Sequence, residues 1–376
     1  MARSKESTLK FKWEASGSYT ARFAEDAFGE GSPAVAETLR EVTGSDEPRV
    51  MLVADSNVVQ RTEGLGTRIG RYVRANGIRL AGSPVVIGGG EKIKADGFHS
   101  VHRVMSAALE AKVGATDAML VIGGGAIFDV AGYAAAQVRG GVKTVRMPTT
   151  VAAMVDGAFA ECAAVDAPNV KDAYRVPCRP SAVVIDVSFA NTVLDGVWRG
   201  GIGEAVRYAA VRDAPLMKRI AKDLSRLRER DPGAMAELVR ACAESRAKKG
   251  QTAFALWSAG RLEAMSGYKH PHGYAVPMGV CIDCAYAREA GLMSADDQDL
   301  VCGTLSGCGA LEGLVHSRHL LGQTDNILFG LDAWTLSNGS AAIPVPAGIG
   351  KEAFVEPDRE LMAKVVKEFY AATGRE

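Results

Sequence analysis

From Arg49 to Asp186 the chain alternates short apolar runs with stretches of helical period. RVMLVADSN, SPVVIGGGE, AMLVIGGG, VKTVRMPTT and SAVVID read as strands, because they are brief, rich in Val and Ile, and bounded by glycine or polar residues. The segments from about Arg61 to Asn76, Asp96 to Lys112 and Ala126 to Val138 carry helical spacing. Such alternation predicts an α/β, Rossmann-like domain built on a parallel sheet. Polar residues gather where the runs end, at Asp55 and Asn57, Gly88 to Glu91, Gly123 to Gly125, and Thr149 and Thr150. Open α/β sheets bind ligands along that edge. After about Asp195 the period turns helical: Ile202 to Arg212, Pro215 to Glu229, Pro232 to Lys249, Thr252 to Met265, Ala275 to Ala290, Ala295 to Gly307 and Arg359 to Ala372, broken only by SAAIPVP. The switch places a boundary between about Ser188 and Trp198, with an α/β domain over 1–190 and an all-α domain over 191–376.

Composition narrows the partners. Basic and acidic residues both number 44, so no basic stripe predicts a nucleic-acid partner. The opening MARSKESTLKFKWEAS has no apolar core and no window approaches about 18 uninterrupted apolar residues, which predicts neither a signal peptide nor a membrane span, and a cytoplasmic location. Seven cysteines, an odd number, suit reduced thiols better than a disulfide framework. Cys281 and Cys284 form a CxxC inside the apolar periodic segment Val276 to Ala290, and read as buried helix positions because no second pair completes a zinc site.

Several groups can carry chemistry. In VIGGGAIFDV a strand runs through Gly123, Gly124 and Gly125 into a helix bearing Asp129. Glycines there let backbone N–H groups approach a phosphate at a helix N-terminus. The spacing departs from G-x-G-x-x-G, and the same glycines serve a tight strand-to-helix turn equally well. GGGEKIK places Glu91 and Lys94 after a strand, PTTVAAMVDG places Thr149, Thr150 and Asp156 after another, GGIGEAVRYA sets Glu204 and Arg207 one turn apart, and KHPHGYAV offers His270 and His272. His99, His102, His316 and His319 have no ligand cluster around them and read as surface residues.

In order, D-S-N, G-G-E-x-x-K, G-G-G-x-x-x-D-x-A-G-x-A-A-x-x-x-R-G, P-T-T-x-x-x-x-x-D, G-x-x-E-x-x-(K/R)-Y, H-G-x-A-V and G-I-G-K resemble the dehydroquinate synthase-like sugar phosphate cyclases, from about Arg49 to Val366. The resemblance implies an N-terminal NAD-binding domain, a helical domain carrying the metal and substrate side of a cleft, and a homodimer. It implies that Asp55, Asn57, Glu91, Lys94, Gly124, Gly125, Asp129, Thr149 and Thr150 contact NAD, and that Arg139, Lys171 and Lys351 bind a phosphorylated sugar. It also gives Asp156, Lys171, Glu204, Arg207 and His272 catalytic places, with Glu204 and His272 as metal ligands. In the family NAD oxidises a ring hydroxyl, phosphate leaves, the hydride returns and an aldol step closes a carbocycle, with zinc polarising the oxygen.

This chain departs from that pattern where the metal belongs. Leu256 and Gly260 stand at two histidine places, the first a zinc ligand; Cys162 replaces a lysine and Asp172 an asparagine. Two ligands seldom hold zinc, so weak or absent zinc is predicted, with the polarising role passing to a cation such as Lys171 or Arg207. His270, two residues from His272 across a proline, would point to the same side on an extended segment and is the candidate replacement ligand. Three functions fit: an NAD-dependent cyclase-like lyase, in specialised metabolism and zinc-independent; an NAD-dependent oxidoreductase or epimerase on a polyol or sugar phosphate; or a non-catalytic NAD-binding partner subunit. Glu204, His272, Lys351, Asp156 and Lys171 are expected to converge on one cleft.

Overall fold

The computed structural model describes residues 17–374; the N-terminal stretch read for a signal segment lies outside the described residues. Its strands are β1 (Thr20–Ala24), β2 (Arg49–Asp55), β3 (Arg79–Leu80), β4 (Val85–Ile87), β5 (Ala118–Gly123), β6 (Lys143–Pro148), β7 (Cys162–Ala167), β8 (Val170–Pro177), β9 (Ala182–Asp186), β10 (Ile343–Pro346) and β11 (Glu352–Val355). One sheet has the order β1-β9-β6-β5-β2-β3, with β4 also pairing with β2, and every pairing in it is parallel. The central strands are buried on both faces, which is why they read as unbroken apolar runs. Arg146 in β6 is a buried charge among them, and its guanidinium is satisfied by the carbonyls of Ala160 (2.8 Å) and Cys178 (2.6 Å).

The α/β half and the helical C-terminal half are both present, but the second half also contains a hairpin: β10 and β11 pair antiparallel at the SAAIPVP interruption. A second antiparallel hairpin, β7 with β8, lies off the main sheet. The helix Asp195–Arg212 is buried along almost its whole length, and so forms the core of the helical half. Its path is set by a close backbone approach. A Cβ on Gly200 would come within 2.6 Å of the Gly273 Cα, so the helices Asp195–Arg212 and His272–Glu289 cross backbone to backbone. The crossing places His272, next to Gly273, beside Glu204, one turn beyond Gly200. Among the described residues no helix is long and apolar enough to cross a membrane.

The helix Leu256–Met265 packs on His272–Glu289 through a buried polar contact: Trp257 Nε1–H donates to Asp283 at 2.9 Å. Burial pushes the Asp283 carboxyl up to about 8, against the opposing hydrogen bonds from Trp257 and the Ala255 N–H. A carboxyl raised above its unfolded value of about 4 contributes its full stability below that value and loses it as pH climbs to the folded one. Asp283→Asn should remove this slope. The two proteins should match at low pH, while at about pH 8 the variant is more stable by at least about 1 kcal/mol in urea denaturation; parallel pH profiles would contradict this.

Candidate active site

The carboxyl ends of β2, β4, β5 and β6 form one edge. Asp55 ends β2 and caps the following helix, its Oδ1 accepting from the Asn57 N–H at 2.8 Å and from the Asn57 side-chain amide at 3.1 Å. Gly89 of the next turn lies so close to both side chains that no Cβ fits there. Gly124 is the N-cap of the helix Gly125–Gln137 and supplies no side-chain acceptor, so the first N–H groups of that helix have no cap. A Cβ on Gly125 would meet nothing within 4 Å, whereas one on Gly124 would touch Thr150 Cγ2 at 3.3 Å. Thr150 caps Val151–Val155 through the Ala153 N–H at 3.2 Å, and the buried Thr149 hydroxyl has no hydrogen-bond partner. A bare helix N-terminus beside an unpartnered hydroxyl can hold an anion such as a pyrophosphate.

From this edge a chain of buried charges leads into the helical half. Lys94 Nζ meets Asp172 at 2.7 Å, Asp129 at 2.8 Å and Glu91 at 3.1 Å. Burial works against its ammonium, but Asp129, Asp172 and Asp166 hold its pKa well above the ordinary value. Glu91 also pairs with Lys171, and Lys171 Nζ reaches Glu263 Oε2 at 3.0 Å. Glu263 Oε1 in turn lies 2.7 Å from His272 Nδ1, and His272 Nε2 lies 3.6 Å from Glu204 Oε2. Burial opposes the Glu263 carboxylate, yet Lys171 and His272 draw it down to about 2. For His272 burial is likewise outweighed, here by Glu263 and Glu204, which raise the imidazole to about 10. Beyond Glu204, Arg207 donates Nε–H to Glu204 at 2.6 Å and lies 3.4 Å from Asp156, which Arg246 holds at 2.5 Å.

Lys171, Glu204, His272 and Asp156 therefore belong to one continuous network. Arg207 is placed differently from a substrate-facing cation: it is fully buried, and Nη1 is committed to the Thr252 (3.1 Å) and Phe254 (3.0 Å) carbonyls. Lys351 is exposed in the loop joining β10 to β11; its neighbour Glu352 bonds Thr252 and meets Arg212 at 2.7 Å, so the loop is tied to the same network. Arg139 is exposed at the far end of Gly125–Gln137, about 20 Å along the helix from the glycine turn. It does not join this cluster within one chain.

The segment carrying His270 and His272 is not extended. His272 opens the helix His272–Glu289 behind Pro271, while His270 Nδ1 lies 3.0 Å from Ser317 Oγ and its ring sits 6.2 Å from that of His319. His270 thus turns away as a replacement ligand. Among the described residues no three His, Cys, Asp or Glu side chains are arranged to hold a metal ion. Glu204 Oε2 is a buried oxygen without a hydrogen-bond partner, but with Leu256 and Gly260 on the facing helix the donor set does not fit a zinc ion. His99, His102, His316 and His319 are exposed, and Cys281 and Cys284 are buried helix residues.

Glu263 and Asp166 were not singled out by sequence reasoning. Asp166 lies 3.8 Å from both Lys94 and Lys171, and burial pushes its carboxyl up to about 7, with Lys94 partly offsetting. The available signals were a carboxylate seven residues beyond Leu256 on one helix face, and a single charge inside the apolar run CAAVDA.

The 3-dehydroquinate synthase N-terminal family matches residues 84–199. A 3-dehydroquinate synthase of Jannaschia sp. (strain CCS1) is 28% identical over 294 residues, covering 74% of this chain and 78% of that protein. The fold of 2-epi-5-epi-valiolone synthase from Streptomyces hygroscopicus subsp. jinggangensis 5008, solved with NAD+ and Zn2+ bound, superposes with a TM-score of 0.83 at 21% identity, over 97% of this chain and all of that one. The chain has the dehydroquinate synthase-like fold. A 2-deoxy-scyllo-inosose synthase complexed with carbaglucose-6-phosphate, NAD+ and Co2+ shares this dehydroquinate synthase-like fold, with a TM-score of 0.73 and 19% identity over 93% of this chain and 96% of that one. A 3-dehydroquinate synthase of Haemophilus ducreyi (strain 35000HP / ATCC 700724), 29% identical over 163 residues, is matched over 43% of this chain and 44% of its own length.

Proposed function

We propose that this protein is an NAD-dependent lyase of the sugar phosphate cyclase type, eliminating phosphate from a phosphorylated keto sugar and closing a carbocycle, in specialised metabolism and as a homodimer. One juxtaposition supports the reading: Lys171 joins Glu91 of the sheet edge to Glu263 of the helical half, so the nucleotide edge and the charged network share one place. NAD would supply reversible removal of hydride from a ring carbon. Gly124, Gly125 and Thr149 would hold its pyrophosphate, and Asp55, Asn57 and Glu91 its ribose side, while Thr150 and the Asp129–Lys94 pair shape the turn.

The other side chains bind and orient. Lys351, exposed on its anchored loop, would take the substrate phosphate. Asp166, with no exposed side-chain surface, lies 3.8 Å from both Lys94 and Lys171 and holds the two ammonium groups in place. Arg207 positions Glu204 and Asp156 and does not touch substrate. Because the donor set does not fit a metal ion, no step passes through one.

Screening keto-sugar phosphates for release of inorganic phosphate, with and without NAD+, tests the function. Release that requires NAD+ is expected. NADH accumulation from a polyol without phosphate release would overturn it in favour of an oxidoreductase.

A further inference from the structure

We infer that Lys171 occupies the role a metal ion plays in such a site, and that Gly260 is the residue that admits it; the inference rests on the NAD-dependent reading above. Leu256, Gly260 and Glu263 share one face of the helix Leu256–Met265, at i, i+4 and i+7. That face meets β8: a Cβ on Gly260 would lie 3.3 Å from Lys171 Cγ and 3.5 Å from Lys171 Cβ. The lysine stem therefore runs through the volume in which a larger side chain at position 260 would stand. Its far end is fixed on both sides, by Glu263 Oε2 at 3.0 Å and by Glu91. Glu263 spends its other oxygen on His272 Nδ1 at 2.7 Å, so lysine, carboxylate and imidazole form one connected unit inside the junction.

The other cations of the network are already committed. Arg207 has no exposed surface and bonds Glu204, Asp156 and two carbonyls. Lys94 is 4% exposed and held by Asp129, Asp172 and Glu91. Lys171 keeps 15% of its side chain exposed. An ammonium in that place can donate N–H to the oxygen of an oxidised ring carbon and stabilise the negative charge that develops there, with no bond made or broken at nitrogen. It lacks the Lewis acidity of a divalent ion, and it needs no metal supply.

Two readouts test this. Zinc chloride titrated calorimetrically into the chelator-stripped wild-type chain should give no saturable binding, and Leu256→His/Gly260→His should gain it; stoichiometric zinc on the wild type, or no gain in a folded double variant, would overturn the inference. In the phosphate-release assay, Lys171→Met should lower kcat about 100-fold or more with a smaller change in KM, Lys171→Arg should recover part of it, and chelator should have no effect on the wild type. Gly260→Ala, whose methyl requires only a small shift of the lysine stem, should lower kcat with little loss of melting temperature if the double variant does not fold. An unchanged kcat in Lys171→Met would overturn the inference. Absence of phosphate release from the wild type would count against the functional reading, and calorimetry with zinc alone would then decide the metal question.

Discussion

Replacing Gly125 by valine is expected to weaken NAD+ binding about 100-fold, close to 3 kcal/mol, while leaving the melting temperature nearly unchanged. The position separates ligand from fold. Its Cβ would project into open space at the first helical residue, so an added side chain would stand over the uncapped N–H groups that the proposed function assigns to the pyrophosphate. Gly124 is the less clean choice, because a Cβ there already presses on Thr150 at 3.3 Å and would disturb the cap of the next helix. Calorimetry with NAD+ on both proteins gives the comparison. Equal affinities would remove the pyrophosphate from this turn.

Arg207→Met should cost about 3–5 kcal/mol of stability, the usual penalty for taking one partner from a buried ion pair. The substitution leaves Glu204 without its closest cation and frees the carbonyls of Thr252 and Phe254, which fix the loop entering Leu256–Met265. Burial opposes the Glu204 carboxylate, and Arg207 with His272 lowers its pKa below the ordinary range, so removing the guanidinium exposes that burial cost. Pairing the change with Glu204→Gln should recover part of the loss, because the stranded charge is then gone. Urea denaturation of the wild type and both variants measures this; a loss under about 1 kcal/mol for Arg207→Met would show that Arg207 is not holding the helical half together.

The helices Pro232–Lys249, Ala295–Gly307 and Arg359–Ala372 were legible to the residue, since each begins behind an Asp or Ser whose side chain caps the first turn. The β7–β8 hairpin was not. VKDAYRVP is polar, its residues are mostly exposed or half-buried, and Asp172 takes a left-handed backbone, so no strand period shows. That gap hid Asp166 as a site residue and left the path of Lys171 unread. The helix Thr324–Asn338 escaped for the opposite reason, as Phe329 and Leu336 face outward and blur its apolar stripe. At the site, the residue types at the sheet edge follow from motif order alone. What joins Glu204 to His272 follows from the crossing of Gly200 with Gly273, and contacts between distant helices leave no period in a sequence.

The most direct measurement is the stoichiometry of phosphate to NAD+ when the chain turns over a keto-sugar phosphate with NAD+ held below the substrate concentration. If the nucleotide edge and the Lys171 network form one cyclase-type site, many phosphates should appear per NAD+ with no net NADH, because the hydride taken from the ring is returned. Phosphate release that stops at one per NAD+, or NADH that accumulates with product, would contradict the account.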